Sequence, residues 1–329
     1  MSATSGRGRS GVRHLLEQMP PVATFGPFLA LLAACAFFAS QTDRFLTGQN
    51  FSLILQQVVV VGVMAIGQTV IILTAGIDLS CGMVMALGSI VMTKFAVDLA
   101  LNPYLAIVCG FAACIAFGIL NGALITYVRL PPFIVTLGTL NIAFAITQIY
   151  SESQTVSGLP DALLAFGNTF RIGRTAVTYG TVLMLVMYLA AWFLLRETSP
   201  GRHIHALGNN PEAARLMGIP ARRLLVSVYT IAALIYGIAA MLAVARTGVG
   251  DPQAGQTDNL DSITAVVLGG TSLFGGRGMI LGTLIGALIV GVFRNGLTLM
   301  GVPSVYQILI TGILVILAVT TDQLSRRRM

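Results

Sequence analysis

Apolar runs of roughly twenty residues recur along this chain, near 23–41, 51–75, 79–97, 103–127, 132–150, 177–195, 224–245, 259–274, 278–299 and 304–321. About twenty apolar residues in a helix cross the hydrocarbon of a bilayer. Ten such runs leave only loops and tails for water, so no soluble catalytic domain fits. The charged fraction agrees: it is 9%, against about 25% in soluble domains. The chain reads as an all-α polytopic membrane protein of about ten transmembrane helices. A tail (1–22) precedes a single membrane domain (23–322), and a basic tail (323–329) follows. The run 259–274 is the shortest of the ten.

Charge sets the orientation. With both termini inside (N-in/C-in), Arg7, Arg9, Arg13, Arg129, Arg196, Arg202, Arg215, Arg222, Arg223, Arg277, Arg326, Arg327 and Arg328 face the cytoplasm. Arg44, Lys94, Arg171, Arg174, Arg246 and Arg294 face outward. The bias follows the positive-inside rule, and an odd number of crossings would put one arginine-rich tail outside. The same rule accounts for the formal charge of +7 without invoking nucleic acid. Leu32-Ala33-Ala34-Cys35 resembles a lipoprotein cleavage box, but the apolar run continues past it, so the segment reads as an uncleaved first helix. Cys35, Cys81, Cys109 and Cys114 lie in apolar runs without CxxC spacing, and read as packing residues rather than disulfides or metal ligands.

Two glycine-bounded stretches, GIDLSCG (76–82) and GTSLFGG (270–276), interrupt the apolar pattern. At an offset of 194, Gly76, Leu79, Gly82, Met85, Leu87 and Gly88 match Gly270, Leu273, Gly276, Met279, Leu281 and Gly282. Paired glycine-broken segments point to repeats around a transport site. The second stretch is no phosphate-binding loop. Gly270 and Gly275 have the right spacing, but Gly276 and Arg277 stand where lysine and a hydroxyl are needed. Gly278, Gly282 and Gly286 read as a close-packing face. Asp78 carries two readings, an intramembrane functional carboxylate or a cap of a helix starting at Leu79, and the cap is favoured. Asn121, Thr136 and Asn141 either meet a polar solute or bond between helices. With Asp78, Phe133, Thr271 and Ser272 they form the candidate translocation path. No catalytic constellation is present, and an ion-coupled transporter or channel would need more charge inside these spans than Asp78 alone.

Residues 196–223 form the one sizeable inward segment, longer than the roughly 2–8 residues that join neighbouring helices. Asn210 fits an N-cap, Pro211 the first helical position and Glu212 the positive end of the helix dipole, with Arg215 in reach of Glu212. Gly218 fits the left-handed C′ position and Pro220 bars continuation. A helix over 211–217 is therefore expected, with Ala213, Leu216 and Met217 as an apolar patch. So short a helix is marginal alone, which makes it a docking element. The docking set is Gly208, Asn209, Asn210, Glu212, Ala213, Ala214, Arg215, Leu216, Met217 and Gly218.

GRHIHALGNNPEAARLMGI (201–219) resembles the coupling segment of bacterial ABC sugar-uptake permeases of the ribose, xylose and arabinose type. GQTVIILTAGIDLSCG (67–82), RLPPFIVTLGTL (129–140) and the stretch 262–292 extend the resemblance over most of 50–322. Pro131-Pro132 and Thr271-Ser272 fit the family pattern, whereas Cys81 stands where a small apolar residue is usual. The resemblance implies a type II importer fold in the inner membrane and a permease dimer. It also implies an ATPase partner that binds ATP and magnesium, and a soluble sugar-binding protein outside; this chain would hold no cofactor. A branched-chain amino acid permease is the related alternative.

Overall fold

The computed structural model describes residues 22–326, so the expectations for 1–21 and 327–329 lie outside the described residues. Ten helices match the ten apolar runs. They are α1 (Val22–Gln41), α2 (Gly48–Leu73), α3 (Cys81–Val97), α4 (Pro103–Ala123), α5 (Pro132–Ser151), α7 (Tyr179–Glu197), α10 (Ala221–Thr247), α11 (Asp258–Leu268), α12 (Ile280–Leu299) and α13 (Ser304–Arg326). Three further α-helices are α6 (Asp161–Leu164), α8 (Ser199–Asn209) and α9 (Pro211–Leu216). Six of the described helices are long and apolar enough to cross a membrane by themselves. Helix α13 continues to Arg326.

The apolar window of α2 is 83% buried and that of α10 72%, against 22% for α4 and 28% for α5 and α7. The first two therefore form the centre, and the last three present apolar faces outward. Small residues set these crossings. A Cβ at Gly118 would press on the Tyr229 backbone and one at Gly122 on Val226, so α4 lies directly against α10. Gly282 and Gly286 meet the backbone of Gly269 and Ala265 in the same way, which fulfils the packing reading of that glycine face. At the end of α4 the helix widens into a π-turn (Leu124–Val128), and Arg129, left-handed at φ 64°, closes it before Pro131.

Two connections carry structure of their own. The segment 151–176 holds a hairpin of β1 (Thr169–Ile172) and β2 (Thr175–Thr178), turning at Gly173 and Arg174. The segment 246–258 descends into the bundle beside α3. Gly250 packs on Thr93, Gln148 Nε2 donates to the Pro252 carbonyl, and Gly255 packs on Gly82. From Thr93 to Gly82 is about 16 Å along a helix. Helix α11 consequently starts deep in the bundle, and this is why it spans only 11 residues instead of 259–274. Irregular backbone at such depth survives because protein surrounds it.

Candidate functional site

Helix α9 forms as its residues dictate. Asn210 Oδ1 accepts from the amides of Glu212 (3.1 Å) and Ala213 (3.0 Å), satisfying two of the free donors at the helix start. At the other end Gly218, at φ 81°, donates to the Arg215 carbonyl and Ile219 donates to the Ala214 carbonyl. That double bond is the Schellman closure, and Ile219 packs on Ala214 and Leu207 as the accompanying apolar contact. The helix proper ends at Leu216, one residue before the expected 217. The expected Glu212–Arg215 ion pair does not form among the described residues. Leu216 is 89% exposed and Met217 70% exposed, so the apolar patch is open to a partner, while Ala213 is half-buried.

The helix before it, α8, is a feature the sequence reading missed. Thr198 caps it through the Gly201 amide, with Pro200 in its first turn, so the signal Thr-Ser-Pro was present. Its two glycines disguised it by lowering helix propensity. Both are there for contact. Gly201 lies against the carbonyls of Leu194 and Leu195, and Gly208 lies against the Leu73 carbonyl. The amide of Gly276 donates to that same Leu73 carbonyl at 3.0 Å, and Gly276 packs on Asn209. His205 Nδ1 stands 3.3 Å from the Gly276 carbonyl. The end of α2, the end of α8 and the second glycine break thus meet at one junction.

The candidate path residues do not form one lining. Asp78, Ser80, Asn121 and Thr136 are all at most 3% exposed. Asn121 Nδ2 donates to Ser80 Oγ (3.1 Å), Ser80 Oγ donates to Asp78 Oδ1 (2.6 Å), and the Ser80 amide donates to the same oxygen (2.8 Å). Thr136 Oγ1 reaches the Ile77 carbonyl at 3.3 Å, and Gln68 Nε2 donates to the Asp78 carbonyl. Asp78 therefore ties the break to itself through Ser80 rather than capping the helix: α3 begins at Cys81, two residues later than expected, with Ser80 at its N-cap position and no side-chain cap bond. Gln68 Oε1, Asn121 Oδ1 and the Tyr229 hydroxyl lie buried around this knot without a partner among the described residues. Phe133 and Asn141 instead face outward on α5, Asn141 bonding only its own helix at the Leu137 carbonyl. Thr271 and Ser272 are buried in the second break.

Asp78 is not the one buried carboxylate among the described residues: Asp261 is buried too. Arg294 on α12 pairs with Asp261 (3.5 Å) and Asp258 (4.0 Å) in the first turn of α11. These residues were legible as charges within or beside apolar runs, but the depth of the α11 start was not. Asp261 and Arg294 flank a cavity of about 220 Å³ that Thr257, Phe293 and Gln307 also line. No group of three or more His, Cys, Asp and Glu that could hold a metal occurs among the described residues.

The family model described as "Branched-chain amino acid transport system / permease component" matches residues 50–319. The chain belongs to this family. It is 42% identical to the fructose import permease protein FrcC of Rhizobium meliloti over 322 residues, covering 96% of this chain and 89% of that one. It is 40% identical to the ribose import permease protein RbsC of Escherichia coli K12 over 296 residues, covering 89% and 92%. With the D-allose transport system permease protein AlsC of the same strain it shares 35% identity over 302 residues, covering 91% of each. No solved structure matches. Membership makes this permease chain a multi-pass protein of the inner membrane, in keeping with its outward apolar faces.

Proposed function

We propose that this chain is the membrane permease subunit of an ATP-driven ABC importer that carries a monosaccharide into the cytoplasm. The relatives named for fructose, ribose and allose support a sugar over an amino acid, although the family description names the latter. In this reading the chain crosses the membrane ten times, N-in and C-in, with α8 and α9 on the cytoplasmic side. A separate ATPase subunit, holding ATP and magnesium, seats on Leu216 and Met217. A soluble sugar-binding protein delivers substrate from outside, and a second permease copy covers the outward face of α5 that carries Phe133 and Asn141. Asp78, Asn121, Thr136, Thr271 and Ser272 then border the path rather than line it in one chain.

The observation that carries the coupling role is the junction at the Leu73 carbonyl, where Gly208 packs and the Gly276 amide bonds. A push on α9 reaches α2 and the 270–279 loop through backbone contacts, which cannot yield as side chains do. An ion-coupled transporter gains Asp258 and Asp261 as candidates, yet both sit at Arg294, and that reading leaves the capped, exposed docking helix without a use.

Gly218→Val tests this. A β-branched residue at φ 81° carries a left-handed cost of about 1–2 kcal/mol, and nothing lies near enough to compete for that space. Permease abundance in the membrane should stay near normal, while ATPase retained on pull-down and uptake of a labelled monosaccharide panel both collapse. Asn210→Ala, which removes a cap worth about 1 kcal/mol, should give a weaker version of the same split. Full retention and full uptake in both variants would reduce the segment to a connector.

A further inference from the structure

An open groove of about 660 Å³ lies between the π-turn end of α4 and the turn joining α9 to α10. Arg129, Arg215, Arg222 and Arg223 line it, and no acidic residue does. All four arginines are exposed, and none has a carboxylate within ion-pair distance among the described residues. Gathering four unpaired cations costs repulsion, and the chain does so against local preference. Arg129 is held at φ 64° by the turn before Pro131, a conformation that favours glycine. Arg222 and Arg223 occupy the first turn of α10, where the helix dipole disfavours positive charge. An anion in the groove would offset the mutual repulsion and the unfavourable charge at the start of α10.

The remaining lining narrows the anion. Ile125, Ile219 and Leu225 give the groove an apolar floor. Tyr127 (62% exposed) and Val128 (59%) lie between the lining residues Thr126 and Arg129 and turn outward, and Ile119 and Leu120 are exposed two turns earlier on α4. Guanidinium groups match phosphate oxygens with paired donors, and an exposed apolar flank leading to the mouth suits acyl chains. We propose that this groove binds the phosphate headgroup of an anionic phospholipid, with its chains lying along α4 at Tyr127 and Val128. Basic pockets between membrane helices on the cytoplasmic side recognise such headgroups. The bound lipid would brace the turn at 218–220 that closes the docking helix. The assignment rests on the cytoplasmic placement of α8 and α9 proposed above.

Lipid retention on the purified full chain tests it independently of uptake, so failure of the transport reading and failure of this one are distinguishable. Native mass spectrometry would compare phosphatidylglycerol with phosphatidylcholine of identical chains, and inorganic phosphate as competitor. Phosphatidylglycerol should be retained over phosphatidylcholine, and the double variant Arg129→Gln/Arg222→Gln should weaken that retention about thirtyfold. Arg44→Gln, in the turn between α1 and α2, should change nothing. If the double variant is not monodisperse, Arg223→Gln alone should still cost about fivefold. Equal retention of both lipids overturns the proposal, as does retention indifferent to the arginines. Displacement by millimolar inorganic phosphate would make it a free-phosphate site. Loss of the ATPase with lipid retention unchanged would make the groove a protein contact.

Discussion

At the end of α2 the chain turns through Ala75 at φ 61°, and at the end of α11 it turns through Gly270 at φ 85°. Both helices close alike: Gly76 donates to the Ile71 carbonyl, and Thr271 donates to the Val266 carbonyl. Beyond that point the two breaks diverge. The first takes seven residues (74–80) to reach α3 and folds onto itself through Asp78 and Ser80. The second takes eleven (269–279) to reach α12 and spends the difference on Gly275 and Gly276, both left-handed, which carry it to α8. One break is a sealed polar knot, and the other is an arm that touches the end of α8 at Asn209. The two also meet each other, Gly275 packing on Ala75.

The largest effect is expected at the joint between them. A side chain at Gly208 would overlap the Leu73 carbonyl and approach the Gly276 amide at 2.7 Å. Overpacking costs about 1–3 kcal/mol where side chains can yield, and here only backbone is available. Gly208→Val should abolish uptake and lower the melting temperature of the purified chain, and Gly208→Ala should do so to a lesser degree. Normal uptake in Gly208→Val would mean that the three segments are not coupled at this point. Gly275→Ala should come next. It places a Cβ 2.7 Å from the Ala75 amide nitrogen at φ 83°, adding a left-handed cost of about 1–2 kcal/mol. Thermal melting and ATPase retention should both fall.

How far these regions could be read beforehand follows from the range of the forces involved. Asn210, Pro211, Gly218 and Pro220 act within one or two turns, so helix α9 was legible to within a residue. The long helices were legible because each is apolar over nearly its whole length, six of them long and apolar enough to cross a membrane. What escaped was set by distant contacts. Helix α8 depends on Gly201 and Gly208 meeting carbonyls from other helices. The descent of 248–257 depends on Gly250 and Gly255 fitting beside Thr93 and Gly82. The offset of 194 paired Gly76 with Gly270, but the helix ends pair Ala75 with Gly270, and the starts of α3 and α12 differ by a further four residues. Matching glycines in sequence thus marked two breaks correctly while misaligning them.

That misalignment leads to the smallest and most discriminating expectation. If Ala75 occupies the position that Gly270 fills in the other break, Ala75→Gly should be tolerated. Relief of the left-handed strain, about 1–2 kcal/mol, is opposed by the added freedom of glycine in the unfolded chain, about 0.4–1 kcal/mol. The net change is a gain of about 0–1.6 kcal/mol, and uptake should be normal. The substitution becomes informative in combination. A Cβ at position 275 would lie 2.8 Å from the Ala75 Cβ as well as 2.7 Å from its nitrogen. Ala75→Gly removes the first contact and leaves the second, so it should restore part, not all, of the stability lost in Gly275→Ala. Melting of the four proteins in a double-mutant cycle reads this directly, with a coupling above about 0.5 kcal/mol expected for residues in contact. Strict additivity would place the two breaks apart, and the comparison between them would then have no mechanical content.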